Sequence, residues 1–248
     1  MMPFLIALQF LTTIPVRLPY MPSREQNALS LLFYPLIGLM IGGILWLMAS
    51  FLTLPIMLLS ILIVVAWIWL TGGLHLDGLA DTADAWVGGY GDVERTLKIM
   101  KDPTCGAMGV IAIVLNIALK WACVYSLLEL SHLNKSFLWI LMFIPMLGRL
   151  SPLVLFLTTS YVRKNGLGSA LQDVSKIAVI SVILLTTFSL LFLGWQTALL
   201  LYLGFFASVF YLRWRFMQRI GGITGDTVGA SIEIVEVLLL SLFIFKIY

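Results

Sequence analysis

Apolar residues arrive in long runs rather than in narrow amphipathic stripes. From Gln26 to Leu74 no Asp, Glu, Lys, Arg or His interrupts the chain, and none does from Ile177 to Leu212. A membrane-crossing helix needs about 20 such residues, so each gap holds two helices back to back. The run Ile61-Leu62-Ile63-Val64-Val65-Ala66-Trp67-Ile68-Trp69-Leu70 does not alternate, which argues against a transmembrane barrel. The pattern predicts seven spans, near 29–51, 55–71, 106–127, 137–158, 177–194, 197–212 and 228–246. The expected fold is all-α: a polytopic transmembrane helical bundle forming one domain over residues 1–248. Residues 1–16 are too short to cross and read as an interfacial or re-entrant segment. They lack a positive leading region, so they do not resemble a cleaved signal peptide. Pro145 and Pro152 predict a kink or break in the fourth span.

Composition supports the membrane reading. Only 11% of the 248 residues are charged and 61% are hydrophobic, whereas soluble domains carry about 25% charge. Disorder needs the opposite balance and is excluded. A net charge of +3 without a basic cluster points to a lipid bilayer rather than a nucleic acid as partner. Cys105 and Cys123, if joined by one helix, lie about 27 Å apart, too far for a disulfide. No repeat or low-complexity tract is visible, and a homo-oligomer stays open.

The basic residues orient the bundle. Arg17, Arg24, Arg95, Lys98, Lys101, Arg163, Lys164, Lys176, Arg213, Arg215 and Arg219 fall on one side of the seven spans, and only Lys135 and Lys246 on the other. By the positive-inside rule the rich side is cytoplasmic. The expected setting is the cytoplasmic (inner) membrane, multi-pass, with the N-terminus and the active face inside. Four polar segments share that face: 12–28, 72–105, 159–176 and 213–227.

The chemistry concentrates there. In Gly72-Gly73-Leu74-His75-Leu76-Asp77-Gly78-Leu79-Ala80-Asp81-Thr82-Ala83-Asp84 the three aspartates sit at i, i+4 and i+7, on one stripe of a helix. Stacked like charges ask for a cation, and hard oxygen ligands beside substrate phosphates suit Mg²⁺. Asp77, Asp81 and Asp84 are therefore the candidate metal ligands, weighed against an ordinary solvated face. His75 is divided between site and structure. Arg95, Lys98 and Asp102 share the next helical face, with Lys101 just off it. They suit a phosphate-binding surface, or a basic patch on anionic lipid.

A second acidic motif opens the last span. Gly221-Gly222-Ile223-Thr224-Gly225-Asp226 leads into a helix N-terminus, which favours anions. Asp226, Glu233 and Glu236 are expected on one face. Acids inside a span are costly and default to functional candidates, against the alternative of interhelical contacts with Arg149 or Lys120. Arg149 needs an anionic partner, an acid or a substrate phosphate. No GxxxxGK[ST], CxxC, HExxH or GxSxG is present. What remains fits Mg²⁺-assisted transfer of a phosphorylated group.

These segments together resemble the cobalamin (5′-phosphate) synthase family, also called adenosylcobinamide-GDP ribazoletransferases. The resemblance rests on 72–84, on Ile99-Met100-Lys101-Asp102 with Gly106 and Gly109, on Gly166-Leu167-Gly168, and on 222–230 with Glu233 and Glu236. Phe10–Val16 and Tyr34–Gly38 match as well. Thr13 stands where the family often has Arg, which puts a phosphate role for that loop in doubt, and Ala85 where it often has Gly. The resemblance implies that adenosylcobinamide-GDP and α-ribazole, or its 5′-phosphate, give adenosylcobalamin, or its 5′-phosphate, and GMP. It implies Mg²⁺ on the aspartate stripe and Asp84 or Asp226 as proton acceptor. His75, Arg95, Lys98, Lys101, Asp102, Arg149, Gly225, Glu233 and Glu236 would bind substrate.

Two rival classes are weaker. CDP-alcohol phosphotransferases require Arg where Asp81 stands, and aromatic-acceptor prenyltransferases a different aspartate spacing. A transporter would place its site near the midplane between paired repeats.

Overall fold

The computed structural model describes residues 1–163 and 167–247. Lys164 and Gly166, part of the expected basic loop and of the Gly166-Leu167-Gly168 turn, lie outside them. The described residues form eleven α-helices. They are α1 (Met2–Leu11), α2 (Arg24–Ser30), α3 (Tyr34–Phe51), α4 (Ile56–Thr71), α5 (Leu74–Gly88) and α6 (Val93–Ile99). Then follow α7 (Ala107–Leu130), α8 (Ile140–Thr158), α9 (Lys176–Ser189), α10 (Trp195–Ile220) and α11 (Gly225–Ile247). The one strand-like pairing among them is an isolated parallel bridge between Tyr161 and Ile223.

Six rods are long and apolar enough to cross a membrane: 24–51, 107–130, 135–158, 176–193, 195–220 and 225–247. The pair α4–α5 makes a seventh if its 86° bend is counted within one span. We read α4 as the apolar rod and α5 as a helix turned across the end of the bundle. α1 is too short to cross, in line with its interfacial reading.

The centre is α8, buried at every residue from Phe143 to Leu155 and packed against α3, α11, α9 and α10. The break expected at its prolines does not occur: α8 runs unbroken through Pro145 and Pro152. Pro152 cannot donate to the carbonyl of Gly148, but the Ser151 hydroxyl donates to that oxygen at 2.7 Å, so the polar group is satisfied without water. α9 is peripheral, with Ile177, Leu184, Leu185 and Phe188 exposed. α10 extends past its expected end near 212, so Arg213, Arg215 and Arg219 ride on helix rather than on a loop.

The four polar segments meet at one end. The Thr13 backbone N–H donates to the Leu70 carbonyl at 2.9 Å. Arg24 pairs with Asp173 at 2.6 Å. The Arg213 guanidinium donates to the Thr158 carbonyl, and Arg219 lies over the Trp86 ring. Trp46, Trp139 and Phe192 stack in one chain of aromatic contacts away from these segments.

Candidate active site

The site begins at the α4–α5 bend. Gly72 and Gly73 adopt φ of +62° and +70°, a left-handed pair that only glycine takes without strain. The chain turns there and α5 lies down on α11 and α7. Its apolar face, Leu76 and Leu79, packs on Ala230, Ala112, Ile117 and Ile234. Gly78 is the crossing point, since a Cβ there would sit 2.7 Å from the Asp226 carbonyl oxygen. This close approach brings the two acidic motifs together.

Three carboxylates result: Asp77 exposed, Asp81 and Asp226 half-buried. The Asp81 carboxyl is pushed up to about 6, first by burial and then by the neighbouring charges of Asp77 and Asp226. The compensating cation is Arg163, whose Nη2 donates to Asp226 Oδ2 at 2.7 Å. The Thr224 hydroxyl donates to the same oxygen at 3.4 Å. Among the described residues one guanidinium faces three acids, which leaves a local negative excess. Among the described residues no three His, Cys, Asp or Glu side chains form a ready metal cage. An open cluster of hard oxygen donors still fits Mg²⁺, which is usually held by one or two carboxylates together with substrate phosphates.

Asp84 does something else. Its two carboxylate oxygens accept the backbone N–H groups of Gly106 at 2.7 Å and Gly109 at 2.9 Å. It thus caps the N-terminus of α7 from a neighbouring helix, where a negative charge is favoured.

Beside the open cluster lies a cavity of about 430 Å³. Its polar wall includes His75, Asp77, Arg163, Asp226, Asn27 and Ser30, with Gly225 beside them, and its apolar wall includes Phe10, Leu11, Phe156, Leu171 and Ile232. Phe156 stacks on Tyr161 and Phe10 on Tyr34, both also in the wall. α1 therefore builds the cavity.

Deeper in the bundle a second charged group is closed. Lys120 Nζ donates to Glu233 Oε2 and to Glu236 Oε2, each at 2.7 Å. Asn116 donates to Glu233 at 2.8 Å. Arg149 pairs with Glu236 Oε1 and turns Nη2 to His75 Nδ1 at 3.3 Å. Lys120 also lies over Trp67. All these side chains are buried. Two acids face two cations, so the charge balances.

The structure thus divides the expected residues. It brings Asp77, Asp226, Gly225 and His75 to one cavity end, with Asp81 beside Asp77 and Asp226. Glu233 and Glu236, expected on a face with Asp226, point instead to α7 and α8. There they meet Lys120 and Arg149, which supplies the partner that Arg149 needs. Arg95, Lys98 and Lys101 are exposed on α6 and the turn after it, and no ion pair among the described residues involves them. Asp102 accepts from the Thr104 N–H at 3.0 Å and its hydroxyl at 2.5 Å, which holds its carboxyl below the usual range and shapes its own turn. Thr13 ties its loop to the end of α4, donating from its hydroxyl to Trp69 O at 3.1 Å. Sequence reasoning did not single out Arg163 or the aromatic wall of the cavity as parts of the site. A signal for Arg163 existed: Asp226 had no nearby basic residue of its own.

A helical bundle apolar enough to cross a membrane, carrying an acid-rich cluster beside a partly apolar cavity at one end, defines a multi-pass membrane enzyme class. The chain belongs to the cobalamin-5-phosphate synthase family, whose model matches residues 3–244. It is a transferase of cobalamin nucleotide-loop assembly. An adenosylcobinamide-GDP ribazoletransferase of Acinetobacter baumannii (strain ATCC 17978) is 53% identical over 98% of this chain and 97% of its own length. One of Pseudomonas fluorescens (strain Pf-5) is 48% identical over 95% and 96%. One of Pseudomonas syringae pv. syringae (strain B728a) is 47% identical over 97% and 98%. No solved structure matches.

Proposed function

We propose that this enzyme transfers the cobinamide-phosphate moiety of adenosylcobinamide-GDP to α-ribazole or its 5′-phosphate, releasing GMP. An acceptor hydroxyl oxygen forms the new bond to the phosphorus attached to cobinamide. The bond from that phosphorus to the bridging oxygen breaks, and GMP leaves with the electron pair. The hydroxyl proton goes to a carboxylate. The products are adenosylcobalamin, or its 5′-phosphate, and GMP.

The observation that carries this reading is the acid-rich cluster Asp77–Asp81–Asp226, of which Asp77 and Asp226 line the cavity. Asp77 and Asp81 would hold Mg²⁺ against the donor diphosphate. Bound there, Mg²⁺ would neutralise charge developing on the leaving group. Asp226 is the proton acceptor, because it lines the cavity and Asp84 does not. Arg163 holds Asp226 in place and faces the diphosphate. A cavity of about 430 Å³ suits a nucleoside-sized ligand and is too small for a corrin macrocycle. It therefore takes the acceptor, while the corrin stays outside. The basic ends of the helices support a cytoplasmic orientation of this face in the inner membrane.

The test is direct. Protein reconstituted in liposomes receives adenosylcobinamide-GDP, α-ribazole and Mg²⁺, and GMP is measured by chromatography. GMP release that needs both substrates and the metal is expected. No release with any divalent metal sinks the proposal.

A further inference from the structure

His75 stands where the open cluster and the closed network meet. It is 3% exposed and forms part of the cavity wall. Its Nδ1 faces Arg149 Nη2 at 3.3 Å. Its Nε2 is buried and has no hydrogen-bond partner among the described residues. A guanidinium carries only donors, so Nδ1 must be the accepting nitrogen. A neutral imidazole has one N–H, which this contact assigns to Nε2. The ring therefore cannot take a proton at Nε2, and it is not the general base.

The assignment is mechanically secured. Arg149 is held by Glu236, Glu236 by Lys120, Lys120 by Glu233, and Glu233 by Asn116. Gly148 leaves room for this chain, since a Cβ there would lie 2.8 Å from Glu236 Cγ. A buried donor left without a partner is destabilising, and a ligand oxygen that reaches it relieves that cost.

We infer that His75 is a hydrogen-bond donor of fixed tautomer, whose Nε2–H, covered in this structure, is uncovered when the acceptor nucleoside settles against the cavity wall and then binds one of its ribosyl hydroxyl oxygens. Glu236 and Arg149 are positioning residues that act through it. The identity of the ligand rests on the proposed function, whereas the tautomer does not. A hydroxyl suits this place because it accepts from His75 and can donate to a carboxylate such as Asp226, which lines the same cavity. The donor's diphosphate, by contrast, belongs with Asp77 and Asp81.

The chain has only two histidines, and His132 is exposed, so ¹⁵N-histidine labelling with a His132→Gln control isolates the signal of His75. In the intact protein at neutral pH, Nε2 should be protonated and Nδ1 bare. Adding α-ribazole should shift the Nε2–H resonance, and adding adenosylcobinamide-GDP alone should not. In the charge-matched Arg149→Met/Glu236→Gln protein the tautomers should mix. His75→Gln, whose amide reaches the Nε2 position, should keep KM for α-ribazole near native. His75→Asn, which mimics Nδ1, should raise it about tenfold, the worth of one buried hydrogen bond. A protonated Nδ1, an Nε2 signal indifferent to α-ribazole, or equal KM in the two variants would overturn the inference. Absence of GMP release would instead remove the proposed function and leave the tautomer measurement standing.

Discussion

Two groups of acids and bases share this molecule, and their difference is instructive. Both contain carboxylates and an arginine, and both involve α11. In the interior, Glu233 and Glu236 meet Lys120 and Arg149 with the charges balanced and every residue buried. At the end of the bundle, Asp77, Asp81 and Asp226 gather about one ion pair among the described residues, to Arg163, and Asp77 and Asp226 line a cavity. Balance and dryness make the first group a fastener between α7, α8 and α11. Imbalance and access make the second a place for a cation and a phosphorylated substrate. Residue type alone does not separate the two roles; charge count and exposure do.

The contrast predicts opposite responses. Replacing both Asp77 and Asp81 with Asn should cut GMP release by about 10²-fold or more, the loss of several kcal/mol of charge stabilisation. Thermal unfolding should stay near native or rise, because like-charge repulsion is removed. In the interior the signs reverse. Glu236→Gln leaves buried cations poorly paired and should lower stability by about 3–5 kcal/mol, read by unfolding in detergent. Adding Arg149→Met should restore part of it. If Glu236→Gln unfolded like the native protein, the fastener role would fail.

Between these lies the crossing that joins the two motifs. Gly78→Ala places a methyl against the Asp226 carbonyl and should separate α5 from α11. A loss of about 1–3 kcal/mol is expected, with turnover falling about tenfold through misplacement of Asp226. Activity unchanged with stability lost would detach the crossing from the chemistry.

The pH response is smaller. Burial and the charges of Asp77 and Asp226 push the Asp81 carboxyl up to about 6 in the folded protein, above the ordinary aspartate range, so the native state binds its proton first. Stability of the metal-free protein should therefore rise as pH falls from about 7 towards 5. Mg²⁺ competes for the same carboxylate, so its stabilising effect should shrink over that interval. Parallel melting curves with and without Mg²⁺ at each pH check both signs. The smallest effect belongs to Asp102→Asn, which removes a turn contact on an exposed residue. It should change KM by less than about threefold, in keeping with surface substitutions worth under 0.5 kcal/mol.

Much of this was legible in the sequence, for physical reasons. Spans follow from uninterrupted apolar runs, and the shared face of Asp77 and Asp81 follows from helical spacing. Gly72-Gly73 marks the bend, because glycine is where a helix can turn into a left-handed pair. Pairings between distant segments were not legible. Lys120 and Glu233 stand 113 positions apart, and nothing local says that Glu233 turns to α7 while Asp226 turns to the cavity. Spacing puts Asp84 on the same stripe but does not show that its oxygens accept from the Gly106 and Gly109 N–H groups. The end of α10 was misread because Trp214 and the arginines continue a helix that the hydropathy pattern stops at Leu212.

The central claim is that the open cluster, and not the closed network, holds the divalent cation. Mn²⁺ can stand in for Mg²⁺, and its electron paramagnetic resonance signal reports binding to the reconstituted protein in the presence of adenosylcobinamide-GDP. The account predicts saturable binding that disappears in the Asp77→Asn/Asp81→Asn protein and survives in the Arg149→Met/Glu236→Gln protein. Binding that persists without Asp77 and Asp81, or that vanishes only when the interior network is altered, would contradict it.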